Sequence, residues 1–288
     1  MSEISLFPES TLPELIEEAH DILARAKERF KPRATYALFS GGNDSTAMLS
    51  IVKDQVDAAV HIVTGIGIID KGRTALDHVH ERCEAWNVPL IVLETPPEVY
   101  RHIVLRPDKP DGGFPGRHDL TYHLLKAQRL QEFQRDYSRR GDRLLLVSGV
   151  RRKESKRRAG GVASKAIDAP RGRLQRCAWA NVIIGFAQAH LWSLRQELSL
   201  SQCEGAAYIH KSGECLCGSF PSPVTLEEIE FWFPETGRYI RGLEREAAAM
   251  GKPYCKWGKG HSEGKAKPVG PLCQGCELFK GIDDAVKE

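Results

Sequence analysis

An apolar run, Ala34-Thr35-Tyr36-Ala37-Leu38-Phe39, leads directly into Ser40-Gly41-Gly42-Asn43-Asp44-Ser45, after which Ala47, Met48, Ile51 and Val52 recur at helical spacing. A buried strand that turns through two glycines into a helix constrains this chain more than any other feature. Glycines let backbone N–H groups turn inward without Cβ clashes. Those N–H groups, the two serine hydroxyls and the helix N-terminus make a cradle for an anion. The loop is neither a Walker A loop nor a dinucleotide fingerprint, because its glycine spacing is wrong for both and the lysine is lacking.

The same alternation continues along the chain. Residues 11–30 carry Leu12, Leu15, Ile16, Ala19, Ile22, Leu23, Ala26 and Phe30 at helical spacing, with Thr11 and Glu14 placed as a capping box. Strands are expected at Ala58–Val63, Pro89–Leu93 and Leu144–Val147, separated by helical stripes through Leu76–Trp86 and Leu120–Phe133. Strands alternating with helices predict a parallel sheet covered on both faces. Ligands of such sheets sit at the carboxyl ends of the strands, where the loops at 40–45, 64–67 and 148–158 all fall. Beyond residue 200 the strand pattern fades and Cys, Gly and Pro punctuate the chain. Thr225 and Glu228 form another capping box, and a helix is expected from about 235 to 250.

Composition excludes several classes. With 288 residues, 41% hydrophobic and 27% charged, the chain is neither disordered nor a disulfide miniprotein. No apolar run approaches the ~18–20 residues that span a bilayer. The start, Met1-Ser2-Glu3-Ile4, shows no basic region ahead of an apolar core, so a cytoplasmic location is expected. The net charge of +3 does not demand a nucleic acid partner.

The loop matches, at every defined position, the SGGxDS signature of PP-loop ATP pyrophosphatases, and the chain resembles that superfamily. The resemblance implies an α/β fold: a five-stranded parallel sheet flanked by helices. It also implies that Ser40, Gly41, Gly42, Asp44 and Ser45 hold the pyrophosphate end of an adenine nucleotide. Three further segments resemble the phosphoadenosine phosphosulfate (PAPS) reductase branch. Val60 to Gly67 is similar to its second strand and Thr-Gly turn, which assigns Thr64 and Gly65 to the nucleotide. Gly113-Phe114-Pro115 with His118, Tyr122, Leu125 and Lys126 resembles a Phe-Pro…Tyr…Leu-Lys segment. Ser148-Gly149-Val150-Arg151-Arg152-Lys153-Glu154-Ser155-Lys156-Arg157-Arg158 matches a G-x-R-x-x-E-S-x-x-R pattern.

Residues 151–158 hold six positive charges and one negative. Arginine forks bind phosphate or sulfate oxygens in pairs, so Arg151, Arg152 and Arg158 are placed to grip an anion, with Glu154 orienting a guanidinium and Ser155 beside it. The plainer reading is a solvated basic loop. Nucleic acid is not indicated, because no aromatic stacking platform accompanies the run. Asp44 has two roles open to it: binding Mg²⁺ beside the phosphates, or capping the helix.

Six of the eight cysteines fall in the last 86 residues. Cys215-Leu216-Cys217 and Cys273-Gln274-Gly275-Cys276 are two close pairs able to close a four-thiolate site, with Cys203 and Cys255 in reserve. Cys83 and Cys177 read as plain core or loop residues. Relatives in the branch carry paired cysteines that bind a [4Fe-4S] cluster, and Tyr208 to Cys217 resembles the segment ahead of their first pair. The C-x-C spacing departs from theirs, which leaves a cluster or Zn²⁺ open. PAPS reductases end in a tail with a nucleophilic Cys; residues 278–288 contain none.

The expected organisation is an N-terminal helix (1–32), a PP-loop nucleotide domain (33–200) and a Cys-rich module (201–288). The expected function is an enzyme that binds ATP with Mg²⁺ and cleaves between the α and β phosphates to adenylate an acceptor. Sulfur transfer could follow, which brings in a sulfur donor or a thioredoxin-like reductant as partner; a homo-oligomer is also expected. The rivals are a sulfonucleotide reductase and a non-catalytic nucleotide-binding module of a phage or DNA-modification system.

Overall fold

The structure is a computed structural model. It describes residues 10–106, 114, 121–154 (for Glu154 the backbone only), 165–170, 172–214, 216–218, 225–253 and 255–258.

Thr11 opens the first helix, α1 (Leu12–Phe30), through the expected capping box: the Thr11 N–H donates to Glu14 Oε2 at 2.8 Å. One stripe of α1 (Leu12, Leu15, Ala19, Ile22, Leu23, Ala26) is buried. The chain then enters β1 (Ala34–Leu38), α2 (Asn43–Val52), β2 (Ala58–Val63), the short hairpin β3 (Ile69–Asp70) and β4 (Arg73–Thr74), and α3 (Ala75–Ala85). Next come β5 (Leu90–Glu94), α4 (Pro97–Leu105), a π-helical turn (His123–Ala127), α5 (Gln128–Tyr137), β6 (Leu144–Val147), β7 (Ile167–Asp168), β8 (Cys177–Ala180) and α6 (Gln188–Glu197). The last elements are α7 (Glu204–Tyr208), α8 (Leu226–Trp232) and α9 (Pro234–Ala249). The capping box at Thr225 and Glu228 starts α8.

The central sheet runs β5-β2-β1-β6-β8-β7. Its first five strands are parallel and β7 pairs antiparallel to β8. The expected five parallel strands are thus present, and a two-residue antiparallel edge makes a sixth. Period-two alternation splits the sheet between two apolar layers. Ala37, Phe39, Leu145 and Val147 join α1, α2 and α6 on one face. Tyr36, Val60, Leu144 and Leu146 meet Phe133 of α5 on the other. Cys177 lies in β8 with no exposed surface, and Cys83 sits on the buried stripe of α3. A third apolar cluster joins Ile66, Ile68 and α4 to Ile209, Leu216, α8, α9 and Trp257.

The order of the parallel strands brings two loops together. β1 connects outward to β2 on one side, and the later strand β6 lies on its other side. Crossovers leave β1 and β6 in opposite directions, so the switch point of the sheet, where ligands of such folds sit, lies between their carboxyl ends. The 40–45 loop follows β1, and the 148–151 segment follows β6. Among the described residues, no helix is long and apolar enough to cross a membrane.

Candidate functional site

Gly41 takes a φ of +75°, a left-handed conformation that suits glycine. A Cβ there would meet Val79 at 3.2 Å and the His78 ring at 3.4 Å. Gly42 is the N-cap of α2 and offers no side chain to it. The cap is instead tied by serines: Ser45 Oγ donates to Gly42 O at 3.0 Å and accepts from Ser40 N at 3.2 Å. The two serine hydroxyls lie 3.1 Å apart. Ser45 is buried, so its hydroxyl holds the curve of the loop. The first-turn N–H groups of α2 have no acceptor inside the helix, which makes this end of α2 able to take an anion.

The opposite wall comes from β6. Gly149 packs so closely that a Cβ on it would lie 2.9 Å from both the carbonyl carbon and oxygen of Asp44. Two residues on, Arg151 Nε donates to Asp44 Oδ2 at 3.0 Å, and its Nη2 donates to Gln188 Oε1 at 3.1 Å. Arg151 is only 6% exposed. Below this contact Ser148 Oγ donates to Asn181 Oδ1 at 2.5 Å and ties β6 to the end of β8. Asp44 stands in the first turn of α2, whose N-cap is Gly42, and its carboxylate locks a buried guanidinium beside the loop. Arg151 engages one of the two carboxylate oxygens, Oδ2.

Arg152 stands exposed on a 3₁₀ turn (Arg152–Glu154), its N–H donating to Ile184 O at 3.0 Å. The side chain of Glu154, with Ser155 and Arg158, lies outside the described residues, and so do Cys215, Cys273 and Cys276. Gly65 packs on the backbone of Thr95 and Pro97. Thr64 turns toward a partner that the sequence reading did not single out. Its N–H donates to Glu214 Oε2 at 3.0 Å and its hydroxyl to Glu214 O at 2.7 Å. Glu214 Oε1 is 3.3 Å from His61 Nε2, whose Nδ1 is 2.8 Å from Phe39 O. His61 is fully buried and Glu214 is 2% exposed. Burial alone would raise the Glu214 pKa, but His61 and the Thr64 N–H outweigh it and hold the carboxyl below its ordinary range. A signal for this pair was in the sequence: His61 interrupts an otherwise apolar strand, and a polar group there needs a partner.

Glu214 helps hold the 202–214 segment beside the 40–45 loop. Gln202 Nε2 donates to Asn43 Oδ1 at 3.0 Å, and Ile68 N donates to Gly213 O at 2.7 Å. Further along, Cys217 and Cys255 are both buried in the third apolar cluster. Trp257 links their surroundings, its Nε1 donating to Leu216 O at 2.8 Å. No group of three or more potential metal ligands occurs among the described residues. Burial pushes the thiol of Cys83 up to about 11 and that of Cys177 up to about 12. Iodoacetamide at pH 8 should therefore leave both unmodified in the native protein and label them after denaturation, as peptide mass spectrometry would report.

No family model and no curated protein matches the chain. Similar solved structures include the PAPS reductase of Candida auris in a phosphate complex, at 16% identity and a TM-score of 0.46, covering 70% of this chain and 92% of that one. The FMN adenylyltransferase of Candida glabrata in complex with ATP has 15% identity and a TM-score of 0.49, covering 99% of this chain and 84% of that one. The U34-tRNA thiolase NcsA of Methanococcus maripaludis, with its [4Fe-4S] cluster, has 13% identity and a TM-score of 0.45, covering 83% and 76%. The six-stranded sheet of this chain is mostly parallel and flanked by helices.

Proposed function

We propose that this chain is a PP-loop enzyme that seats the β and γ phosphates of ATP in the 40–45 loop and breaks the α–β bond. One observation carries the reading: the loops after β1 and β6 meet at the switch point of the sheet, through Gly149 on Asp44 and Arg151 on the Asp44 carboxylate. An acceptor nucleophile attacks the α phosphorus, the bond to the bridging oxygen breaks, and pyrophosphate leaves with the electron pair. The products are an adenylated acceptor and pyrophosphate.

The chain's own contribution is positioning and charge. First-turn N–H groups of α2 face the leaving pyrophosphate, while Ser40 and Ser45 keep the loop curved around it. Arg151, held between Asp44 and Gln188, adds a fixed positive charge, and exposed Arg152 reaches the nucleotide from the rim. The reading also assigns Arg158 to the anion, Glu154 to orienting a guanidinium and Ser155 to the nucleotide. Thr64 and Gly65 border the nucleoside side, placed by Glu214 and by the Thr95–Pro97 backbone. Mg²⁺, when bound, would neutralise phosphate charge next to Asp44.

The nucleotide domain in this reading spans 33–200, after the helix of 1–32, and residues 201–288 form the Cys module. Cys215, Cys217, Cys273 and Cys276 would hold a [4Fe-4S] cluster or Zn²⁺. The burial of Cys217 in one apolar cluster with Cys255 supports a dry thiolate site there. Metal analysis and a visible absorption spectrum of anaerobically purified protein test this: iron with sulfide and a brown colour are expected of a cluster, and protein free of iron and zinc contradicts the site.

The activity is tested by pyrophosphate release from Mg-ATP. Ser45→Ala and Arg151→Ala should each lower the rate at least tenfold while the protein stays folded. Equal rates in all three proteins would remove the site.

A further inference from the structure

His78, on α3, abuts the phosphate loop: its Cδ2 lies 3.4 Å from the point a Cβ on Gly41 would occupy. The adjoining ring nitrogen, Nε2, is buried and makes no hydrogen bond. Burial, with Arg82 beside it, holds the ring below the usual histidine pKa; Glu81 and Arg73 are the other charged groups acting on it. A neutral ring carries one N–H; in the tautomer that places it on Nε2, that N–H is buried without an acceptor and costly unless a ligand supplies one.

Ser212 reaches the same loop from the far end of the chain. Its Cβ lies 3.2 Å from the point a Cβ on Gly42 would occupy. The segment around it is fixed in place. Lys211 N donates to Gly205 O at 3.1 Å, Gly213 O accepts from Ile68 N at 2.7 Å, and Glu214 is anchored by Thr64 and His61. A Cβ on Gly213 would fall 2.5 Å from that of Ala75, in the first turn of the helix that carries His78. Ser212 and His78 therefore flank Gly41 and Gly42 together.

We propose that His78 and Ser212 form a second wall of the phosphate pocket and donate hydrogen bonds, from Nε2–H and Oγ–H, to the outer oxygens of the anion seated in the 40–45 loop. This rests on the nucleotide reading above and deepens it: the 202–214 segment contributes to the site directly.

The test is calorimetric titration of the full chain with inorganic pyrophosphate and Mg²⁺, in wild type, Ser45→Ala, His78→Ala, His78→Gln and Ser212→Ala, each checked for an unchanged melting temperature. Loss of a donor to a charged acceptor should weaken binding about tenfold or more in His78→Ala and roughly fivefold in Ser212→Ala. His78→Gln keeps an N–H near the Nε2 position and should bind within about threefold of wild type. If Ser45→Ala loses affinity while both His78→Ala and Ser212→Ala bind as wild type, the second wall is refuted and the loop site stands. If His78→Gln is as weak as His78→Ala, the histidine packs rather than donates and the inference falls. Binding that is absent in wild type, or unchanged in Ser45→Ala, refutes the nucleotide reading itself.

Discussion

Glu214→Ala is expected to cost about 3–5 kcal/mol of stability, a lowering of the melting temperature on the order of ten degrees. The carboxylate is 2% exposed and answers three groups at once: the Thr64 N–H, the Thr64 hydroxyl and the fully buried His61 ring. Alanine leaves the Thr64 N–H and a ring nitrogen buried without partners, and each such group costs roughly 1–3 kcal/mol. Glu214→Gln retains an acceptor for Thr64 and should lose about half as much. The effect carries a pH signature. The folded-state pKa of Glu214 lies below its ordinary value, so its contribution is present above that ordinary value and is lost as the pH falls through the depressed one. Thermal melts of wild type and Glu214→Gln from neutral to acid pH should therefore converge below the usual carboxylate range. A constant gap between the two would show that the carboxylate charge is not what stabilises the fold.

Gly149→Ala should lower pyrophosphate release about 100-fold with only a modest loss of stability. The added methyl would stand 2.9 Å from backbone atoms of Asp44 and 3.0 Å from Ser45 N. Backbone cannot rotate out of the way as a side chain can, so the β1 and β6 loops must part. Overpacking of this kind costs roughly 1–3 kcal/mol. A displacement near 1 Å of aligned catalytic groups costs about 10²-fold in rate. The Arg151–Asp44 contact spans the same gap and would stretch with it. Steady-state kinetics with Mg-ATP, beside a melting curve, separates the two effects. A folded Gly149→Ala protein with the wild-type rate would mean that the close approach has no part in catalysis.

Local physics was readable in the sequence. Capping boxes at Thr11 and Thr225 lie within four residues of chain, and the β1, β2, β5 and β6 strands are apolar runs bounded by turns. The phosphate loop was legible because its strand, glycines and helix are contiguous. Strand β8 was not: Cys177-Ala178-Trp179-Ala180 is only four residues long and follows arginines, and its burial depends on pairing with β6. The partners that build the cleft were hidden for the same reason. His61 meets Glu214 across 153 residues and Arg151 meets Asp44 across 107, and no local period encodes such separations. Thr64 reads as a nucleotide residue from its turn alone; that its hydroxyl also donates to Glu214 and holds the 202–214 segment is not legible there. A basic run that reads as a solvated loop acquires meaning only once the strand before it is placed next to β1.

The claim beneath all of these is that the 40–45 loop grasps the terminal phosphates of a nucleotide. A ³¹P NMR titration of Mg-ATP with the full-length protein tests it at the phosphorus atoms themselves. The β and γ resonances should shift and broaden more than the α resonance with wild type, and should stay at their free positions with Ser45→Ala. Phosphorus signals unmoved by wild-type protein at millimolar concentration, or moved equally by Ser45→Ala, would contradict it.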